Sequence, residues 1–169
     1  MGILTDAMKQ TLTDDRLIFV ATVCPDGTPN LSPKGTTMVW DDDHVLFTDL
    51  ASPGTMRNLE SNPAIEINAV NVFARRGYRF KGTASIHKDG DVHAAVLERM
   101  RNGPASLNGL AERVRAVALV RVEQALPLVS PGYWGGATEA EMRRQWEANW
   151  SAANDQWHAR AAGANDGNQ

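Results

Sequence analysis

Apolar and polar residues alternate along most of the chain before residue 130. The segment 78–88 shows the pattern best, with Tyr78, Phe80 and Ala84 on one side and Arg79 and Lys81 on the other. A period of two is typical of a strand with one buried face. The pattern predicts six strands, at residues 17–24, 28–40, 44–50, 64–72, 78–88 and 113–126.

The second predicted strand, residues 28–40, is interrupted by Pro33 and Gly35. Proline cannot donate to a strand ladder, so the segment is either an edge strand or a bulge. The interruption also leaves backbone amides free to meet a ligand. A bulge at a barrel corner explains the same residues equally well.

Helical periodicity is confined to short segments between the strands and to the C-terminus. Residues 3–14, 52–62 and 90–100 are predicted helices, and a longer amphipathic helix follows Thr138 as its N-cap. Arg99 interrupts the apolar stripe of the third segment. Six strands without regular βαβ alternation favour a largely antiparallel barrel with helices packed outside it.

Composition is that of an ordinary globular protein. Of 169 residues, 43% are hydrophobic and 22% are charged, with a net charge of -3. This charge offers no reason to expect nucleic acid as a partner. No apolar run approaches the ~20 residues that cross a bilayer, and the N-terminus lacks the features of a secretory signal. We therefore expect a cytoplasmic protein with no membrane partner.

One segment has the chemistry of a phosphate site. Thr48 and Asp49 end a strand, Ser52 and Thr55 surround a proline–glycine turn, and Arg57 lies one turn into the helix that follows. Free amides at a helix start, with hydroxyls and an arginine, suit a phosphate. An ordinary capped helix, with Ser52 as N-cap and Pro53 at its first position, is the alternative.

Other conspicuous residues favour structural roles. Asp41–His44 is predicted to be a solvated turn, and no metal site is predicted. The basic stretch of Arg75, Arg76, Arg79 and Lys81 is interpreted as a solvated strand face. Three tryptophans share one face of the C-terminal helix, which indicates a packing seam or a dimer contact: Trp146, Trp150 and Trp157.

The order of these segments resembles the FMN-binding split barrels of the pyridoxamine 5′-phosphate oxidase superfamily. The resemblance lies in CPDGTPNLSP at the first hairpin, HVLFTDLASPGTMRNLESNPAIEIN at the centre and YRFKGTASI in the fifth strand, and it spans about residues 12–128. It implies an FMN-binding barrel over 1–130 and a homodimer that binds FMN at its interface. The C-terminal segment itself predicts a helical extension of the same domain over 131–160 and a disordered tail over 161–169.

The resemblance also implies the cofactor-binding residues. The isoalloxazine and ribityl chain would lie along Ser32, Pro33, Lys34, Gly35 and Thr36. The ribityl and phosphate would be held by Thr48, Asp49, Ser52, Thr55, Met56, Arg57 and Asn58. Many relatives carry a lysine where this chain has Gly54 and Thr55, so the phosphate charge would rest on Arg57, on Lys34 or on a basic residue of a partner chain.

The expected function is that of a flavin-dependent oxidoreductase whose substrate is unassigned. The C-terminal arginine and histidine motif of the oxidases is not recognisable, so oxidation of vitamin B6 is not predicted. No catalytic residue is assigned. A non-catalytic flavin or electron carrier is one alternative, and an F420-dependent reductase is another. A heme-binding relative would need an axial ligand, for which His87 and His158 are formal candidates.

Overall fold

The computed structural model describes residues 2–15 and 17–166, and the side chains of Ser106 and 162–166 lie outside that description. The chain forms two compact units. We call Met1–Val70 with Gly77–Leu128 the barrel unit, and Asn71–Arg76 with Val129–Gln169 the C-terminal unit.

Over residues 2–15 and 17–166 the fold is mainly β, with seven strands rather than the six predicted. The strands are β1 Ile18–Val23, β2 Pro29–Lys34, β3 Met38–Val39, β4 His44–Asp49, β5 Ala64–Asn71, β6 Arg76–His87 and β7 Ala116–Val129. The helices are α1 Asp6–Asp14, α2 Pro53–Ser61, α3 Gly90–Arg101, α4 Ala105–Asn108 and α5 Glu139–Asp166. The additional strand arises because the predicted second strand breaks at 35–37 into β2 and β3. The predicted interruption at Gly35 is confirmed, whereas Pro33 lies within β2 and the prediction of a single strand was wrong.

The seven strands form one sheet in the order β2-β1-β5-β6-β7-β4-β3. β1 pairs antiparallel with β2 and β5, and β4 pairs antiparallel with β3 and β7. The two outermost strands are joined by residues 35–37 alone, which span at most about 14 Å. A flat sheet of this order would be roughly 29 Å wide at the usual strand spacing. The sheet is therefore curled into a half-barrel, which confirms the predicted antiparallel barrel.

The barrel core consists of inward-facing residues of successive strands. Val20, Phe47, Ile67, Phe80 and Val120 have no exposed surface. A second cluster lies on the other face of β4 and β7, where α3 covers them: Leu46, Val96, Met100, Ala111 and Val117. Because β4 is covered on both faces, the polar residues at the end of this strand are also withdrawn from water.

Gly82 permits close approach of β6 and β7. A Cβ atom at this position would lie 2.0 Å from the carbonyl oxygen of Arg121. Any larger residue would force the strands apart.

The C-terminal unit is built around α5, which begins with a capping box. The backbone N–H of Glu141 donates to Thr138 Oγ1 at 3.3 Å, and that of Thr138 donates to Glu141 Oε2 at 2.8 Å. The predicted cap at Thr138 is confirmed. Trp150 and Trp157 are exposed, whereas Trp146 is half-buried.

The helix α5 continues to Asp166, through the first part of the tail for which the sequence predicts disorder. Residues 167–169, the end of that tail, lie outside the described residues. Within the part of the chain that is described, no helix has the length and apolar character to cross a membrane.

Candidate functional site

A buried lysine lies at the end of β2. Lys34 is only 4% exposed. Its Nζ donates to Ser32 Oγ at 2.5 Å, to Ser52 Oγ at 2.9 Å and to the Pro33 carbonyl at 3.4 Å. The ammonium also lies 5.6 Å from the ring centroid of Phe47. Strand β2 and the start of α2 therefore meet through one cationic group.

Lys34 has no ion-pair partner among the described residues. Burial lowers its pKa below the ordinary lysine value, and the nearby Asp49 carboxylate opposes that shift. Asp49 is itself buried, and its Oδ1 accepts the backbone N–H of Ser52 at 2.7 Å. We call Ser32, Lys34, Asp49 and Ser52 the Lys34 cluster. Its ammonium group is hydrogen-bonded to hydroxyls rather than to a carboxylate, so the cluster can accommodate an anion.

Two threonines join β4 to the segment that follows β2. Thr36 Oγ1 accepts the backbone N–H of Thr48 at 3.2 Å and donates to its carbonyl at 3.4 Å. Thr48 is 2% exposed, and its own hydroxyl has no hydrogen-bond partner within the described residues. A buried hydroxyl without a partner costs about 1–3 kcal/mol, so it gains most if a ligand bonds to it.

The start of α2 presents free donors. Pro53 occupies the first turn, and within the described chain the backbone N–H groups of Gly54 and Thr55 have no acceptor. A Cβ at Gly54 would meet no atom within 4 Å, so this position is open. Arg57 is exposed and forms no ion pair or side-chain hydrogen bond with any described residue. Together these groups suit an anion at the helix start.

Ser52 occupies the N-cap position of α2, as predicted, but its side chain forms no capping hydrogen bond. Its hydroxyl is engaged by Lys34 instead. The function of Ser52 in the structure is thus to hold the lysine.

The remaining predicted site residues have different surroundings. Pro33 is exposed within β2, and Gly35 is exposed at the break between β2 and β3. Met56 belongs to the barrel core, and Thr55 is buried. Asn58 is 5% exposed and faces β1, with contacts described below.

Thr22 is a site-supporting residue that the sequence analysis missed. Its Oγ1 accepts hydrogen bonds from Asn58 Nδ2 at 3.0 Å and from Asn30 Nδ2 at 3.2 Å. Asn58 Nδ2 also lies 3.5 Å from Cys24 Sγ. A polar residue at an inward position of β1, after Ile18 and Val20, is the signal that could have revealed it. This network anchors α2 to the sheet.

This chain is similar to solved structures of the bacterial proteins HupZ and HutZ. HupZ of Group A Streptococcus is 31% identical with a TM-score of 0.66, over 76% of this chain and 96% of that one. HutZ of Vibrio cholerae, described as a heme storage protein, is 25% identical with a TM-score of 0.54, over 76% and 95%.

Structures with lower sequence identity also share the fold, and they include proteins that are named after a cofactor. An FMN-binding protein of Syntrophomonas wolfei is 12% identical with a TM-score of 0.62, over 74% of this chain and 86% of that one. An F420 reductase is 23% identical with a TM-score of 0.55, over 73% and 98%.

Among curated proteins, an uncharacterised protein of Methanocaldococcus jannaschii is 31% identical over 90 residues, 52% of this chain and 59% of the relative. This chain thus spans less than two-thirds of that relative's length. Residues 4–125 match the family model described as pyridoxamine 5′-phosphate oxidase. The chain belongs to this family.

Proposed function

We propose that this protein binds FMN at the Lys34 cluster and the start of α2, and that it acts as an FMN-dependent oxidoreductase. The observation that carries the proposal is Lys34, a buried cation with hydroxyl partners and no ion-pair partner in the described chain. The nearby Asp49 carboxylate offsets the cost of burying this charge only in part, and an anionic ligand would complete the compensation. The family relationship makes a flavin phosphate the appropriate anion.

The residues present fit this cofactor. Lys34, Arg57 and the amides of Gly54 and Thr55 would neutralise and bind the phosphate. The free hydroxyl of Thr48 would gain a hydrogen bond from the ligand. FMN, when bound, supplies the redox chemistry, whereas the protein supplies binding, orientation and electrostatics.

The other predicted residues would complete the cofactor's surroundings. Ser32, Pro33, Gly35 and Thr36 border the break between β2 and β3, where backbone groups leave the strand ladder. Asp49, Met56 and Asn58 would act indirectly, because their contacts are within the protein. They hold the elements that carry Ser52, Arg57 and the free amides.

The proposal includes a homodimer in the cytoplasm. Arg57, Pro33 and Gly35 are exposed in the single chain, so a second copy would be needed to shield the cofactor from water. Light scattering of the FMN-loaded protein at micromolar concentration should give twice the 18.4 kDa chain mass. A monomer with FMN bound would contradict the dimer while leaving the cofactor assignment intact.

Absorption spectroscopy tests the cofactor assignment. The purified protein, and the same protein stripped of any bound ligand, should be titrated separately with FMN, riboflavin, F420 and hemin. We expect FMN to bind near one molecule per chain, and more tightly than riboflavin, because only FMN carries the phosphate. Tighter binding of F420 would favour the F420 reductase alternative.

Three further outcomes would contradict the proposal in whole or in part. Absence of flavin binding by fluorescence titration would remove FMN as the cofactor. A hemin complex formed in preference to FMN would align this chain with the heme-related description of HutZ. Reversible FMN reduction without turnover of any organic acceptor would instead identify a non-catalytic carrier.

A further inference from the structure

A cavity of about 240 Å³ lies beside the break between β2 and β3. Its walls come from the end of α1, from residues 35–39, and from the end of α3 with the loop and helix that follow it. Most of the wall is apolar, and Leu12, Ile18, Met38 and Leu107 are representative. Such a volume accommodates a compact organic molecule smaller than those of typical drug-sized sites, which occupy about 300–1,000 Å³.

Arg99 supplies the cationic group of this cavity. Its side chain is exposed, and its Nη1 donates to the carbonyl of Val39 at 2.7 Å. That bond ties α3 to β3 and leaves the Nε and Nη2 edge without a partner among the described residues. Two parallel N–H groups on one edge match the two oxygens of a carboxylate.

The neighbouring arginine on the same helix provides a contrast. Arg101 Nη2 lies 2.8 Å from Glu112 Oε1, and its Nε donates to the same oxygen at 2.9 Å. Its charge is therefore already neutralised by the protein. Arg99, which the sequence shows as an interruption of the apolar stripe of α3, has no such acidic partner in the described chain.

Thr37 offers a second polar group in the wall. Its Oγ1 is buried and has no hydrogen-bond partner within the described residues. The protein itself leaves this hydroxyl unsatisfied, so a hydrogen bond with a ligand would offset the cost of its burial. A ligand carboxylate would thus find a guanidinium group and a hydroxyl-bearing side chain in the wall of a largely apolar cavity.

We propose that this cavity binds a compact apolar molecule with a single carboxylate, and that Arg99 recognises the carboxylate. Asp15 also lines the cavity, but it already has an interaction of its own. Gly35 belongs both to this cavity and to the proposed flavin site. Binding of this ligand does not depend on the proposed flavin function.

Calorimetric titration of the full chain, free of flavin, tests the inference with three matched probes: 3-phenylpropanoate, its neutral amide and the corresponding amine. The carboxylate should bind about tenfold or more tightly than the amide, because a hydrogen bond to a charged group is worth roughly 1.5–3 kcal/mol. Arg99→Gln should remove that difference and leave amide binding unchanged. Arg101→Gln, the control, should bind all three probes as the unaltered protein does.

Several outcomes would overturn the inference. Equal affinity for carboxylate and amide, or undiminished carboxylate binding by Arg99→Gln, would exclude recognition by Arg99. Preferred binding of the amine would show that Asp15 governs the cavity. Competition between FMN and 3-phenylpropanoate would show that the flavin itself fills the cavity. Failure of FMN to bind, with carboxylate binding intact, would instead reject the proposed function and leave this inference standing.

Discussion

Two arginines of the C-terminal unit and one lysine of the barrel unit have different surroundings. In the C-terminal unit, Arg75 lies 4.1 Å from the ring centroid of Trp146, and Arg76 lies 4.4 Å from that of Tyr133. Arg76 is also 3.7 Å from Glu139. In the barrel unit, Lys34 is more deeply buried than Arg76 and has only hydroxyls and a carbonyl as hydrogen-bond acceptors.

This difference distinguishes arginines that have a structural role from a lysine that is available to a ligand. Aromatic faces and a carboxylate stabilise the arginines within the protein itself, so these side chains contribute to packing. Lys34 carries a desolvation cost that its neighbours offset in part. The comparison predicts that changes at Lys34 affect binding more than folding, and that changes at Arg76 do the reverse.

The largest expected effect is that of Lys34→Met. FMN affinity should fall by roughly ten- to a hundredfold, the value of one charge-assisted hydrogen bond. The stability of the flavin-free protein should stay the same or rise, because a desolvated ammonium is replaced by an apolar side chain of similar length. Fluorescence titration and urea unfolding measure the two quantities. A lower free energy of unfolding with unchanged FMN affinity would contradict this comparison.

Raising the pH should cause the same loss of FMN affinity, because it removes the proton from Lys34. Since burial lowers the pKa of Lys34, its folded-state value lies below the ordinary value of about 10.4. FMN affinity should fall as the pH rises through the folded-state value, because the phosphate prefers the charged amine. Lys34→Met should show no such slope in FMN titrations across the same range.

The flavin-free protein should respond to pH in the opposite direction. Between the lowered folded-state pKa of Lys34 and the ordinary lysine value, the unfolded chain binds more protons than the folded one. The free energy of unfolding should therefore rise with pH across that window, relative to Lys34→Met. Parallel urea unfolding of both proteins at several pH values checks this sign.

Arg57→Ala should weaken FMN binding by about tenfold and leave riboflavin binding nearly unchanged. The reason is that Arg57 is exposed, unpaired within the described chain and close to the free amides of α2. Thr55→Ala should cost less, because a neutral hydrogen bond is worth about 0.5–1.5 kcal/mol. Equal losses for both ligands would indicate damaged folding, and no loss for FMN would remove Arg57 from the site.

The smallest effect is expected for Arg76→Met. Loss of an exposed cation–π contact with Tyr133 should lower the free energy of unfolding by about 0.5–1 kcal/mol. FMN affinity should not change. Tryptophan fluorescence in urea reports this change, because four of the five tryptophans lie beyond residue 129. A fall in FMN affinity would contradict a purely structural role.

Local periodicity was sufficient to predict most elements. Strands β1 and β4–β7 and helices α2 and α3 lie within a few residues of their predicted bounds. The reason is that inward residues such as Val20, Ile67 and Phe80 must alternate with polar ones when one face of a strand is buried. The basic stretch was less predictable, since Arg79 and Lys81 lie 3.7 and 3.5 Å from Glu66, a residue of another strand.

The residue pattern alone is thus enough to predict a mainly β fold, and to find the residue types at a strand end and a helix start that suit a phosphate. Which of these groups meet depends on the tertiary fold. The bond from Lys34 to Ser52 joins residues 18 positions apart, and Asn58 reaches Thr22 across 36. Such pairings depend on how the sheet curls, because hydrogen bonds require approach to within about 3 Å. Propensity and period describe each segment alone, so they carry no information on that approach.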